Sequence, residues 1–164
     1  MKIFNKKGMT LMEVMVVVLL IAGMASIAYP SYLSSVEKAK VAEAVQLVSH
    51  ATTSVQQYRE ENDAYPENFT DLDFQVTGKG VSVSGKVATT LNFKVTLPPS
   101  DGCSTDEICA FRCKDNSDGC KYKYIIKGNV TTGKITCVTN GVANDKKICA
   151  SLGKLSSDGI YEIE

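Results

Sequence analysis

The strongest constraint on this chain is an apolar run of 21 residues, Met9 to Tyr29, that carries one charge, Glu13. As an α-helix the run spans about 32 Å at 1.5 Å per residue, the thickness of a bilayer's hydrocarbon core. Lys2, Lys6 and Lys7 precede it, so the positive-inside rule places the N-terminus in the cytoplasm. A carboxylate within such a segment costs about 2.5–3.5 kcal/mol on insertion scales, so Glu13 marks a function and calls for a partner that neutralises it. Two plainer readings compete. One is a secretory signal peptide, cut after the apolar stretch among Ala22, Ala25, Ser26 and Ala28. The other is a simple membrane anchor. An acid this early in the run, and the length of the run, weigh against the signal peptide.

The helical pattern does not stop at Pro30. Val41, Ala44, Val45, Val48, Ala51, Val55 and Tyr58 recur at steps of three and four (with one adjacent pair), one stripe of an amphipathic helix. The spacing predicts a helix to about Glu60, ended by Asn62-Asp63, with a length of about 75 Å for about 50 residues. A helix that long cannot be buried whole in a small domain. Its C-terminal half needs a sheet, and its N-terminal half needs lipid or other copies of itself. Gly23 and Pro30 cost about 1 and about 3 kcal/mol relative to alanine in a helix. Pro30 also frees the carbonyl of Ser26, so the stretch between them is the easiest place to kink.

Residues 61–79 read as a loop, with a turn at Tyr65-Pro66 and apolar anchors at Phe69, Leu72 and Phe74. Four strands are predicted, at Gly80–Ala88, Thr90–Leu97, Lys121–Lys127 and Lys134–Thr139, each rich in β-branched or aromatic residues. Asn129 to Gly133 reads as a hairpin turn. The fold class is α+β, with a long N-terminal helix packed on a four-stranded antiparallel sheet.

All six cysteines lie beyond residue 100. Behind a membrane signal they read as disulfides, and six allow 15 pairings that spacing alone leaves open. Cys103, Cys109, Cys113 and Cys120 crowd the connection before the third strand, and their intervals of six, four and seven lack a Cys-x₂-Cys zinc signature. Asp115 to Gly119, with Asp101 and Asp106 nearby, hints at a calcium loop but lacks the downstream bidentate glutamate, so a solvated turn is expected and no metal is assigned. Asn68-Phe69-Thr70 and Asn129-Val130-Thr131 match a glycosylation sequon, a pattern frequent by chance. His50 sits among polar positions and reads as a solvated or hydrogen-bonded side chain. No nucleophile–base set, phosphate loop or paired-carboxylate arrangement stands out, so neither an enzyme nor a cofactor is expected. Charge is balanced, 18 basic against 18 acidic, which excludes a global nucleic-acid footprint. Lys121, Lys123 and Lys127 are a thin basic patch at most, leaving nucleic-acid contact an open question.

The segment Lys6-Lys7-Gly8-Met9-Thr10-Leu11-Met12-Glu13-Val14 resembles the N-terminus of type IV prepilins and of type II secretion pseudopilins. Phenylalanine is commoner in that family where this chain has Met9, and isoleucine or leucine where it has Met12. The resemblance implies a basic leader, residues 1–8, cut after Gly8 by a prepilin peptidase that also N-methylates Met9. It makes Glu13 the fifth residue of the mature chain, the position at which the family carries glutamate for assembly. It further implies an apolar transmembrane and assembly helix over 9–30, an amphipathic half over 31–60, and a loop, sheet and disulfide-stapled region over 61–164. A Cys137–Cys149 bridge around a variable C-terminal loop follows from the same resemblance, the other four cysteines then pairing among themselves. The implied function is a structural subunit of a type IV pilus fibre. Copies of itself, the inner membrane before assembly, and an inner-membrane platform and motor are its partners. A secretion pseudopilin forming a periplasmic piston and a monomeric membrane-anchored periplasmic binding domain are the alternatives.

Overall fold

The computed structural model describes residues 10–77, 80–99, 103–113, 122–141, 143–155 and 160–163. Gly8, Met9, Cys120, Lys121 and the aspartate-rich turn at 115–119 lie outside the described residues. The contacts divide the chain into two units, Met1–Glu37 and Lys38–Glu164. Helix α1 runs from Leu11 to Asn62 and is assigned without a break across Gly23 and Pro30.

Within the second unit α1 contributes the stripe that its periodicity announced. Val41, Ala44, Val48, Ala51 and Val55 are buried, while Val45 and Tyr58 flank the core half-covered. Asp63, in the left-handed region at φ 52°, ends the helix with its N–H on the Arg59 carbonyl.

The sheet is larger than the four strands expected. It has eight, β1 (Ser82–Ser84), β2 (Val87–Thr89), β3 (Lys94–Thr96), β4 (Glu107–Cys113), β5 (Tyr122–Asn129), β6 (Ile135–Thr139), β7 (Lys154–Leu155) and β8 (Tyr161–Ile163). Their order is β1-β2-β3-β4-β5-β6-β8-β7, with every neighbouring pair antiparallel. Cross-strand partners Ala88, Val95, Ala110, Ile126 and Cys137 form one row across five strands, all buried, and join the helix stripe in a single core.

The corrections have local causes. The run Gly80–Ala88 is two strands, because Gly85 at φ 56° makes a two-residue turn between Ser84 and Val87. The run Thr90–Leu97 begins with a turn in which the Thr90 hydroxyl accepts the N–H of Phe93 at 3.0 Å, so only Lys94–Thr96 is strand. Residues 107–113, expected within a connection, form β4 in the middle of the sheet. Ile108, Cys109 and Ala110 there are fully buried. A short helix α2 (Ala143–Ala150) occupies most of what read as a loop between Cys137 and Cys149, and strands β7 and β8 follow it in a stretch for which no strand was expected. The turn at Asn129–Gly133 forms, with the Gly133 N–H on the Asn129 carbonyl at 2.9 Å.

One close approach fixes how α1 meets the sheet. A Cβ on Gly128 of β5 would stand 2.6 Å from Val48 Cγ1 and would also strike the Thr52 hydroxyl. The missing side chain lets the strand backbone lie against the helix.

Candidate assembly segment and helix anchor

The start of α1 is closed by its own side chains. The Thr10 hydroxyl accepts the Glu13 N–H at 3.3 Å, and the Glu13 carboxylate accepts the Thr10 N–H at 3.4 Å and its hydroxyl at 3.5 Å. This is a reciprocal capping box, which satisfies two of the donors a helix N-terminus leaves open. Its signature, Thr-x-x-Glu before an apolar run, stands in the sequence, so Glu13 has a capping role beside its charge. A glutamine at this position keeps the box and removes the charge.

Every residue from Leu11 to Ser35 is exposed within this single chain. The most apolar stretch of α1 has a mean hydropathy of 2.4 and no buried residue. Leu11 is 85% exposed, Leu19 72% and Ile27 79%. A helix apolar on all sides is stable only when something covers all sides, as lipid or neighbouring helices do. Near its middle the Ser26 hydroxyl donates to the Gly23 carbonyl at 2.8 Å. A Cβ added at Gly23 would meet nothing within 4 Å.

The other end of α1 carries a polar cluster that sequence reasoning missed. Arg59 donates to Tyr65 Oη at 3.0 Å, to Asp106 Oδ1 at 3.2 Å and to Thr131 Oγ1 at 3.4 Å. Its guanidinium also lies over the Tyr65 ring, 5.2 Å from the centroid. The Tyr65 and Thr131 hydroxyls both donate to the Asp106 carboxylate, and the Asp106 carbonyl accepts the Val130 N–H at 2.8 Å. Gln56 reaches the Val130 carbonyl one turn earlier in the helix. The Thr131 hydroxyl, then the Tyr65 hydroxyl, hold the Asp106 carboxyl below its ordinary range, and Arg59 adds to this. Desolvation, then the Asp106 hydrogen bond, push the Tyr65 phenol up. No local pattern flags this cluster, because its members lie on four separate segments. Asp106 is therefore a hub for the helix end, with its carboxylate already engaged.

The remaining candidates fall into structural roles. Lys127 pairs across the strands with Glu107 at 2.9 Å. Glu107 is held below its ordinary value: burial, the largest influence, raises it, but the bond and charge of Lys127 outweigh that. His50 stacks on Phe74, centroids 6.1 Å apart and planes 11° from parallel. Asn129 accepts the Thr132 N–H at 2.8 Å inside its turn. Disulfides join Cys103 to Cys109 and Cys137 to Cys149, with Cα separations of 6.4 and 5.6 Å. The second ties β6 to α2, and both of its cysteines are buried. Cys113 ends β4. Among the described residues no group of three or more His, Cys, Asp or Glu is placed to hold a metal ion.

The geometry defines a chain with a membrane-length apolar helix segment and an α+β domain built on the same helix. Comparison with known proteins finds it similar to the type IV major pilin protein PilE1 of Neisseria gonorrhoeae, 34% identical over 143 residues. That match takes in 87% of this chain and 58% of the relative's length. No family model and no solved structure matches.

Proposed function

We propose that this chain is a pilin-type structural subunit, held in the inner membrane by residues 9–30 and polymerised through them into a type IV pilus fibre at the cell surface. The observation that carries the reading is the first half of α1, apolar on every side, wholly exposed and bearing one acid near its start. The likeness to a major pilin supports it.

In this reading the prepilin peptidase cuts after Gly8 and methylates Met9, leaving a cationic terminus. Glu13 of one subunit meets that terminus on the next. Four residues separate the two groups, about 6 Å along a helix, so an axial step between neighbours brings amine and carboxylate together. A buried ion pair adds little net stability, but a missing partner is costly. The pairing therefore selects register and recruitment more than it adds strength. The assembly platform and motor of the inner membrane supply the remaining partners.

Mass spectrometry of the mature N-terminus tests the class. A methylated chain beginning at Met9 supports it, and a chain retaining Met1 to Gly8 refutes it.

A further inference from the structure

Asp106, the hub of the helix anchor, lies inside the six-residue interval closed by the Cys103–Cys109 disulfide. Cys109 is fully buried in β4, opposite Thr96 of β3. Cys103 is half-buried, its sulfur 4.0 Å from the Thr96 hydroxyl. The bridge thus ties the approach to β4 back onto the sheet, and Asp106 stands at the top of the small loop it makes. Within that loop the Glu107 N–H bonds the Ser104 carbonyl at 3.1 Å, and the Ser104 N–H reaches the Glu107 carboxylate at 3.4 Å. From this position the Asp106 carboxylate accepts from Arg59 of α1, Tyr65 of the following loop and Thr131 of the β5–β6 turn.

We infer that the Cys103–Cys109 bridge is a redox-formed lock on the C-terminal end of α1, acting by presenting Asp106 to Arg59, Tyr65 and Thr131. In the thiol form the approach to β4, residues 103–106, is an open connection that only the strand pairing from Glu107 onward and the Val130 N–H on the Asp106 carbonyl hold. The carboxylate is then no longer fixed at the meeting point of three segments. Closing the bridge removes one proton and one electron from each thiol. Both electrons pass to an oxidant of the protein-disulfide class, which leaves as its dithiol. The last turn of the helix is therefore fastened only after the domain has reached an oxidising compartment. This inference concerns the domain alone and does not rest on the pilus reading.

The test is amide hydrogen exchange on the full chain in detergent micelles, read over residues 56–62. Hydrogen bonds to charged groups contribute enough that their loss speeds local opening by about tenfold or more. Asp106→Asn should produce that increase with the bridge intact. Cys103→Ser with Cys109→Ser should match it, and the triple variant should go no further. Should the cysteine variant fail to fold, the wild type is titrated with dithiothreitol while alkylation mass spectrometry counts free Cys103 and Cys109. Exchange at 56–62 should then rise in step with those two thiols, ahead of exchange in β5. Unchanged exchange on opening the bridge, or increases that add in the triple variant, would overturn the inference.

Discussion

The two halves of α1 share one backbone geometry and differ in what surrounds them. From Leu11 to Ser35 every side chain is exposed, and the apolar ones point in all directions. From Val41 to Val55 the buried positions are a narrow stripe, with charged and polar residues between them. The second half completes its core within its own chain; the first half cannot. The contrast shows that helix length is set here by two environments. A domain core explains only the part after Lys38.

The comparison breaks most readily where β5 lies against α1. Gly128→Val should destabilise the domain by about 3 kcal/mol, since even a Cβ has no space beside Val48 and Thr52. Urea unfolding of the chain in micelles measures this. An equal change in the first half, Gly23→Val, meets open space and should leave the same midpoint unmoved.

Next comes the anchor. Asp106→Asn should cost about 1.5–3 kcal/mol, the usual loss when bonds to a charged group are removed. The pH dependence follows from its sign. A carboxyl with a depressed folded pKa stabilises fully above its unfolded value, about 3.9. That contribution fades as acid protonates it below that value. Acid titration should therefore show a constant gap between wild type and variant well above about pH 4, narrowing as the pH falls below that value.

Smaller still is the effect of removing the first half altogether. A chain starting at Lys38 should keep the thermal midpoint of its sheet within a few degrees, because its core residues all lie beyond that point. A large loss of stability would show that the apolar segment supports the domain.

Much of this arrangement was legible in the sequence, and the rest was hidden for identifiable reasons. The stripe Val41-Ala44-Val48-Ala51-Val55 was readable because a helical period leaves few other solutions. Residues Phe93, Val95 and Leu97, and Tyr124 to Ile126, announced themselves by β-branched and aromatic content. Strand β4 was obscured because Ala110 carries weak strand preference and Cys109 and Cys113 invited a disulfide reading. Helix α2, Ala143–Ala150, is short and half polar, and shows no apolar stripe. The anchor was beyond reach for another reason. Arg59 and Thr131 are 72 positions apart, and only the folded sheet brings them together.

The central claim is that Glu13 works through its charge, and Glu13→Gln isolates that property because glutamine can still close the helix with Thr10. Filament yield, measured against the membrane-bound pool of correctly processed subunit, should fall to a small fraction of wild type. Filaments at the wild-type yield, from chains that begin at Met9 and carry Gln at position 13, would contradict the account.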